Sequence, residues 1–105
     1  MPAWIYFIRP PRDNFAETMT DEEGAVWRAH FKRLEELLTA GTLVLAGPTL
    51  GAKNDGIVIF EAPDEDAARR VMNEDPTIVS GLATGELRPF RVSLVRTPSA
   101  RESKG

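Results

Sequence analysis

The stretch from Thr20 to Gly41, TDEEGAVWRAHFKRLEELLTAG, constrains the fold of this chain more than any other. Thr20 and Glu23 have the spacing of a capping box, in which a hydroxyl and a carboxylate each satisfy one unpaired backbone N–H. Gly41 can adopt the left-handed conformation that ends many helices. The pattern predicts an amphipathic helix packed on a flat layer, with its apolar residues within an arc of about 140°. They are Val26, Trp27, Phe31, Leu34, Leu37 and Leu38.

His30, the only histidine, lies inside this apolar arc. A lone histidine there is more often a hydrogen-bonded core residue than a catalyst. Asp75, however, ends the apolar face of a second predicted helix, which begins at Asp64 and stops before Pro76. If the two helices lie side by side, the carboxylate can bond one imidazole nitrogen and leave the other free to accept a proton. The alternative is that Asp75 only caps the turn at Pro76.

The composition describes one globular domain. The chain has 105 residues, is 42% hydrophobic and 28% charged, and carries a net charge of −3. This charge argues against nucleic acid as a partner. The absence of cysteine excludes disulfides and thiolate sites and fits a cytoplasmic location. No apolar run is long enough for a signal peptide or a membrane span, so we expect no membrane partner.

Four segments have the composition of β-strands, and the first, rich in aromatic and β-branched residues, is expected at the centre of a sheet. Pro48 in the second segment predicts an edge, a bulge or a strand end, and Asp55-Gly56 is a hairpin signal. We expect a single domain over residues 1–97 and a flexible tail over residues 98–105. The predicted strands are Ala3–Ile8, Thr42–Leu50, Gly56–Ala62 and Glu86–Thr97.

The order strand, helix, strand, strand, helix, strand predicts an α+β fold of the ferredoxin-like βαββαβ type. Two right-handed crossovers place both helices on one face of a four-stranded antiparallel sheet. The other face is then bare, and either Trp4, Tyr6 and Ile8 or Ile5 and Phe7 must point to it. An apolar bare face is a partner surface. We therefore expect a homodimer.

Several other residues are candidates for binding a substrate. Gly47 and Pro48 offer backbone near a strand end, which indicates either an oxyanion cradle or an ordinary edge bulge. Arg9, Arg12 and Arg88 are able to hold an anionic group, although scattered surface arginines are the more common case. One histidine and no cysteine predict no metal site. We likewise expect no cofactor.

The chain resembles the YciI-like (YCII-domain) family from the first strand to about Arg91. The resemblance implies a dimeric α+β barrel with a small pocket around His30 and Asp75. It also implies an enzyme, since dehydrochlorination of a hydroxylated aromatic ring is associated with the family. The motifs that carry it, in order, are His30 with Ala40-Gly41, Leu45-Ala46-Gly47-Pro48, Gly56-Ile57-Val58-Ile59-Phe60-Glu61-Ala62, Asp75-Pro76, Ser80-Gly81-Leu82 and Leu87-Arg88-Pro89-Phe90.

Two functions follow from these observations. The first is a cofactor-free enzyme of lyase or isomerase type acting on a small cyclic or aromatic compound, with His30 as acid or base and Asp75 orienting it. The second is a non-catalytic dimeric module that binds a small ligand or a partner protein, with the His30–Asp75 pair as a buried polar clip. Cofactor-independent oxygenation of a phenol is a third hypothesis. An open cavity beside His30 favours the enzyme, and a filled core favours the module.

Overall fold

The computed structural model describes residues 1–96 and has an α+β fold with one four-stranded antiparallel sheet. The predicted class is therefore confirmed, and the strand order β2-β3-β1-β4 is consistent with the ferredoxin-like arrangement. The elements in chain order are β1 (Ala3–Arg9), α1 (Phe15–Thr18), α2 (Asp21–Thr39), β2 (Leu43–Pro48), β3 (Gly56–Glu61), α3 (Glu65–Asn73), α4 (Pro76–Val79) and β4 (Thr84–Phe90).

β1 lies at the centre of the sheet, between β3 and β4, as its apolar sequence predicts. Because successive residues of a strand point to opposite faces, Trp4, Tyr6 and Ile8 share one face. They form the core with Leu34 of α2 and with Ala68 and Met72 of α3. Both long helices therefore cover the same face of the sheet.

Helix α2 begins and ends as its sequence predicts. The Thr20 hydroxyl accepts from the Glu23 N–H at 3.2 Å, and the Glu23 carboxylate accepts from the Thr20 N–H at 2.9 Å. Gly41 has a φ of +81°, and the N–H groups of Gly41 and Thr42 bond the carbonyls of Leu38 and Leu37. This is the pairing of a Schellman motif, which favours glycine at that position.

The apolar arc of α2 does not pack entirely on the sheet. Leu34 is buried, but Phe31 and Leu38 are each 58% exposed. A cavity separates this part of the helix from β2 and β3, and both side chains lie at its border. The expectation that the apolar face of α2 packs on the sheet is therefore wrong for Phe31 and Leu38.

The connection from β2 to β3 corrects a second expectation. Gly56 already belongs to β3 and pairs with Pro48, so Asp55-Gly56 is not the turn of a tight hairpin. The Thr49 hydroxyl accepts from the Asp55 N–H at 2.9 Å, and the Asn54 amide donates to the carbonyls of Thr49 and Gly51. These side-chain bonds close a longer loop over residues 49–55. β2 is an edge strand that ends at Pro48, as a proline allows. Its register shift lies near the other end, between Leu43 and Leu45.

β4 is shorter than its alternating sequence predicts. It spans Thr84–Phe90 rather than Glu86–Thr97. Its last residue, Phe90, pairs with Ala3, where β1 begins, so residues 91–96 have no neighbouring strand among the residues that the structure describes. The expected tail over residues 98–105 lies outside the described residues.

The helix-free face of the sheet is apolar at its centre and charged at its border. The strand register places Ile5 and Phe7 of β1 beside Ile59 and Ile57 of β3. Arg9 and Arg88 lie on the same face. In the part of the chain that the structure describes, no helix is both long and apolar enough to span a membrane.

Candidate functional site

His30 is held on the inner side of α2, beneath the loop that precedes the helix. Its side chain is 5% exposed, and its ring lies 4.8 Å from the ring of Trp27. Trp27 in turn packs edge-on against the buried Phe15 of α1, at 5.8 Å. Phe15 of α1 therefore supports Trp27, which forms the aromatic wall beside His30.

Asp75 provides the predicted partner, but it lies beyond the end of α3 at Asn73 and not on the apolar face of that helix. His30 Nδ1 lies 2.8 and 3.0 Å from the two Asp75 carboxylate oxygens. Asp75 is also the N-cap of α4, where it accepts from the Thr77 N–H at 2.9 Å and the Thr77 hydroxyl at 2.7 Å. Asp75 therefore both caps α4 and pairs with His30, so the two alternatives are true together.

Tyr6 completes the hydrogen bonding of Asp75. Its hydroxyl donates to the carboxylate at 2.7 Å from the centre of the sheet, and Tyr6 is fully buried. Burial and then the negative charge of Asp75 raise the pKa of Tyr6 far above its ordinary value. Tyr6 is therefore a fixed donor to Asp75 and does not take part in proton exchange near neutral pH.

The protonation of the pair follows from these bonds. Burial raises the pKa of the Asp75 carboxyl, but the hydrogen bonds from His30, Tyr6 and Thr77 lower it by more, so it lies below the ordinary 3.8. An ionised carboxylate only accepts, so the His30 Nδ1 must carry the proton that it shares with Asp75. In neutral His30 the Nε2 then has the free lone pair, and no described residue bonds it.

The ring of His30 lines an open cavity of about 430 Å³ between α2 and the β2–β3 side of the sheet. Its walls are apolar on both sides, with Leu34 from the helix and Val58 from the sheet. A dry cavity of roughly 150 Å³ already accepts benzene, so this one has room for a substituted single ring. The His30 side therefore has the open cavity that an enzyme needs.

The structure brings some of the predicted substrate-binding residues to this cavity and not others. Gly47 and Pro48 of the edge strand line it. Arg9 bonds Asp55 at 2.9 Å and Glu86 at 3.2 Å on the helix-free face, and Arg88 lies 3.5 Å from Glu86 on that face. Neither arginine is near His30 in this chain, and the anion-binding role expected for them stays a prediction.

Tyr6 and Thr77 are the site residues that the sequence analysis did not identify. Tyr6 was counted as one apolar residue of the first strand, although a buried tyrosine hydroxyl needs a partner. Thr77, two residues after Asp75, has the spacing that an aspartate cap bonds. Both signals were present, but neither indicates which carboxylate or which helix the bond would reach.

No group of three potential metal ligands occurs among the side chains of residues 1–96. Of the titratable residues near the cavity, His30 and Glu35 line it directly. The chemistry that this arrangement supports is transfer of a proton to or from a bound ligand at the His30 Nε2.

Tyr6→Phe tests the carboxylate network. The folded pKa of Asp75 is lowered, so its stabilising effect is complete above about pH 4 and is lost as the pH falls through the folded pKa. Removing the Tyr6 bond raises that pKa. We expect the variant to lose about 1.5–3 kcal/mol of unfolding free energy at neutral pH and to unfold in acid at a higher pH than wild type.

Urea titrations from neutral to acid pH provide the measurement. Ser80→Ala is the matched control, because that hydroxyl lies in the same turn and donates to the Thr77 carbonyl rather than to Asp75. An acid midpoint of Tyr6→Phe equal to that of Ser80→Ala would show that the Tyr6 bond does not lower the pKa of Asp75.

Comparisons with known proteins place the fold. The model of the YCII-related domain matches residues 4–91, and no curated protein matches the sequence. Among solved structures, the chain is similar to 5-chloro-2-hydroxyhydroquinone dehydrochlorinase (TftG) from Burkholderia phenoliruptrix AC1100, in complex with 2,5-dihydroxybenzoquinone. The TM-score is 0.63 at 21% identity, over 84% of this chain and 93% of that chain. At this identity the likeness concerns the fold alone.

Proposed function

The chain belongs to the family of YCII-related domains, and from that premise we propose that it is a cofactor-free enzyme of lyase or isomerase type acting on a small cyclic or aromatic compound. One observation carries the proposal. The His30 ring lines an open apolar cavity while Asp75 holds its Nδ1 at 2.8 Å, which leaves Nε2 for the ligand. A histidine held in one tautomer beside a ring-sized cavity is suited to general acid–base catalysis.

In the proposed mechanism His30 Nε2 takes a proton from the bound substrate. The imidazolium that forms is stabilised by the Asp75 carboxylate, which Tyr6 and Thr77 hold in place. The same nitrogen returns the proton to the product or passes it to water. Proton removal followed by loss of a leaving group, or by return of the proton at another atom, needs no electron acceptor.

The apolar walls strengthen the interaction between His30 and Asp75. Electrostatic interactions beside apolar walls are stronger than in bulk water, because the local dielectric constant is lower. Gly47 and Pro48 remain candidates for contacting the substrate, since they line the cavity on the side of the edge strand. Arg9 and Arg88 have no part in this mechanism within one chain, because the strand register places them on the opposite face of the sheet.

The chemistry named for the structurally similar protein supports the proposal. A dehydrochlorinase removes a proton and a chloride ion from one substrate, and a complex with a hydroxylated quinone ring is recorded for that protein. Such an elimination is balanced without a cofactor. In the keto tautomer of a hydroxylated ring, the electron pair of the O–H or C–H bond that loses its proton moves into the ring to form a new π bond, and the C–Cl pair leaves with chloride. The cavity beside His30 is large enough for a ring of that size.

The proposal is tested by measuring whether the protein catalyses proton abstraction from single-ring compounds. We would incubate the protein in D₂O with hydroxylated and halogenated single-ring compounds and follow deuterium incorporation and halide release. We expect catalysed exchange or elimination for at least one member of the panel. A complete panel without exchange, elimination or isomerisation, under conditions where a ring compound saturates the cavity, would contradict the enzymatic function and favour the binding module.

We also propose that the chain forms a homodimer through the helix-free face. Phe90 on this face is 40% exposed, and Phe7 and Ile57 are half-buried, whereas Ile5 and Ile59 at the centre of the sheet are already buried. A second copy covers such a face most simply, because the same patch is then buried on both chains.

Light scattering at micromolar concentration should give twice the chain mass of 11.6 kDa. Phe90→Asp should shift the protein toward monomer, since it places a charge in the proposed interface. Val79→Asp is the control, because Val79 is 70% exposed on α4, on the helix-covered side. A wild-type protein that runs as a monomer would overturn this part of the proposal.

A further inference from the structure

The side chains around the cavity have an unbalanced charge. Among residues 1–96, His30 is the one lining residue able to become cationic, and Glu35 is the one lining carboxylate. The positive charge of a protonated His30 is already matched by the ionised Asp75 behind it. The lining that the described residues form therefore carries a net negative charge, and none of their lysines or arginines belongs to it.

Glu35 lies at the border of the cavity on the exposed side of α2. Its neighbours at helical spacing, Phe31 and Leu38, also line the cavity and are each 58% exposed. No ion pair to Glu35 is formed by residues 1–96. Its negative charge therefore stands uncompensated in an apolar rim that a ligand must pass.

We infer that the cavity takes an uncharged ring, and that Glu35 is the residue that excludes carboxylate analogues. This inference rests on the proposed function and adds the class of substrate to it. A phenolic hydroxyl can donate to the His30 Nε2 when it binds, which replaces its lost bond to water. A carboxylate cannot donate, and it would lose its hydration inside an apolar cavity without a cation to pair with.

Isothermal titration calorimetry at about pH 7.5 tests the charge preference with three ring compounds of similar shape. They are 4-methylphenol, 4-methylbenzamide and 4-methylbenzoate, and the last two differ mainly in charge. We expect the phenol and the amide to bind, and the benzoate to bind at least about tenfold more weakly than the amide, because like charges at a binding site strongly disfavour association.

Two variants assign the preference to Glu35 and to the cavity. Glu35→Gln should reduce the ratio between amide and benzoate by about threefold or more, with little change for the amide. Glu36→Gln is the matched control, since Glu36 is exposed on the same helix and does not line the cavity. Ala46→Trp should abolish binding of all three, because Ala46 lines the cavity and a tryptophan there would fill it.

The outcomes separate this inference from the proposed function. Benzoate binding as tight as the amide, an unchanged ratio in Glu35→Gln, or no binding by any ring would overturn the inference. Selective binding of the neutral rings without turnover of any compound would support the inference and contradict the enzyme. Turnover of a carboxylated ring in preference to its amide would contradict the inference and support the enzyme.

Discussion

His30→Asn is expected to remove catalysis while leaving the protein folded. Loss of a general base lowers the rate by roughly a hundredfold or more. The stability loss is expected to stay below about 1 kcal/mol, because asparagine keeps one hydrogen bond to Asp75 and water can enter the open cavity on the other side. The two measurements are the turnover of a substrate found in the D₂O panel and the urea midpoint.

Lys32→Asn controls for the cost of placing asparagine in a helix, since Lys32 is exposed on α2. A variant that loses several times more stability than Lys32→Asn would identify His30 as a structural clip. The non-catalytic module would then be the better account.

Asp75→Ala is expected to have the largest effect on stability. The side chain is 1% exposed and accepts from His30, Tyr6 and Thr77, so its removal leaves buried donors without an acceptor. Each buried donor left unsatisfied costs about 1–3 kcal/mol, so we expect a total loss of about 3–5 kcal/mol. For a domain of this size we expect the melting temperature to fall by about 15 °C or more.

Asp75→Asn separates the charge of this residue from its packing. The amide has nearly the same volume, but its NH₂ group can donate to His30 Nδ1 and would then favour the tautomer with a proton on Nε2. We expect activity to fall about as far as in His30→Asn, with a smaller stability loss than in Asp75→Ala. Thermal unfolding of both Asp75 variants beside wild type provides the test. An Asp75→Ala protein that melts like wild type would show that the hydrogen-bond network is not formed.

Much of the fold could be predicted because local signals agree with one another. The capping box at Thr20 and the glycine at Gly41 define α2 from both ends, and both are formed. The errors are of another kind. β4 ends at Phe90 because β1 offers no partner beyond Ala3, and the exposed positions of Phe31 and Leu38 depend on a cavity. Strand partners and cavities are tertiary properties that a periodic pattern does not contain.

The candidate site shows the same division. The apolar positions of His30 and Asp75 on two helices predicted a pair, and the contact at 2.8 Å is formed. The face of the sheet on which the arginines lie could not be predicted from the sequence. Successive residues of β1 point to opposite faces, so a shift of one residue in register would move Arg9 to the other face. The role of Tyr6 was missed for a related reason. Its hydroxyl reaches Asp75, which is 69 residues away in the chain.

The open cavity favours a ligand-binding role for His30 over a purely structural one. A buried polar clip needs His30 to be enclosed on all sides, whereas the ring borders about 430 Å³ of open space. Four hydrogen bonds hold Asp75, from His30 Nδ1, the Tyr6 hydroxyl and the two donors of Thr77. This network orients the imidazole, and the cavity gives a ligand access to it.

The most direct test of this account is the ¹⁵N NMR spectrum of the ring nitrogens of His30. As the only histidine, it gives one pair of signals without further assignment. At about pH 8 we expect a proton on Nδ1, a free lone pair on Nε2, and an Nε2 signal that moves when 4-methylphenol binds while Nδ1 stays nearly fixed. A proton on Nε2 with an unprotonated Nδ1 would contradict the account, because His30 could not then act as the base.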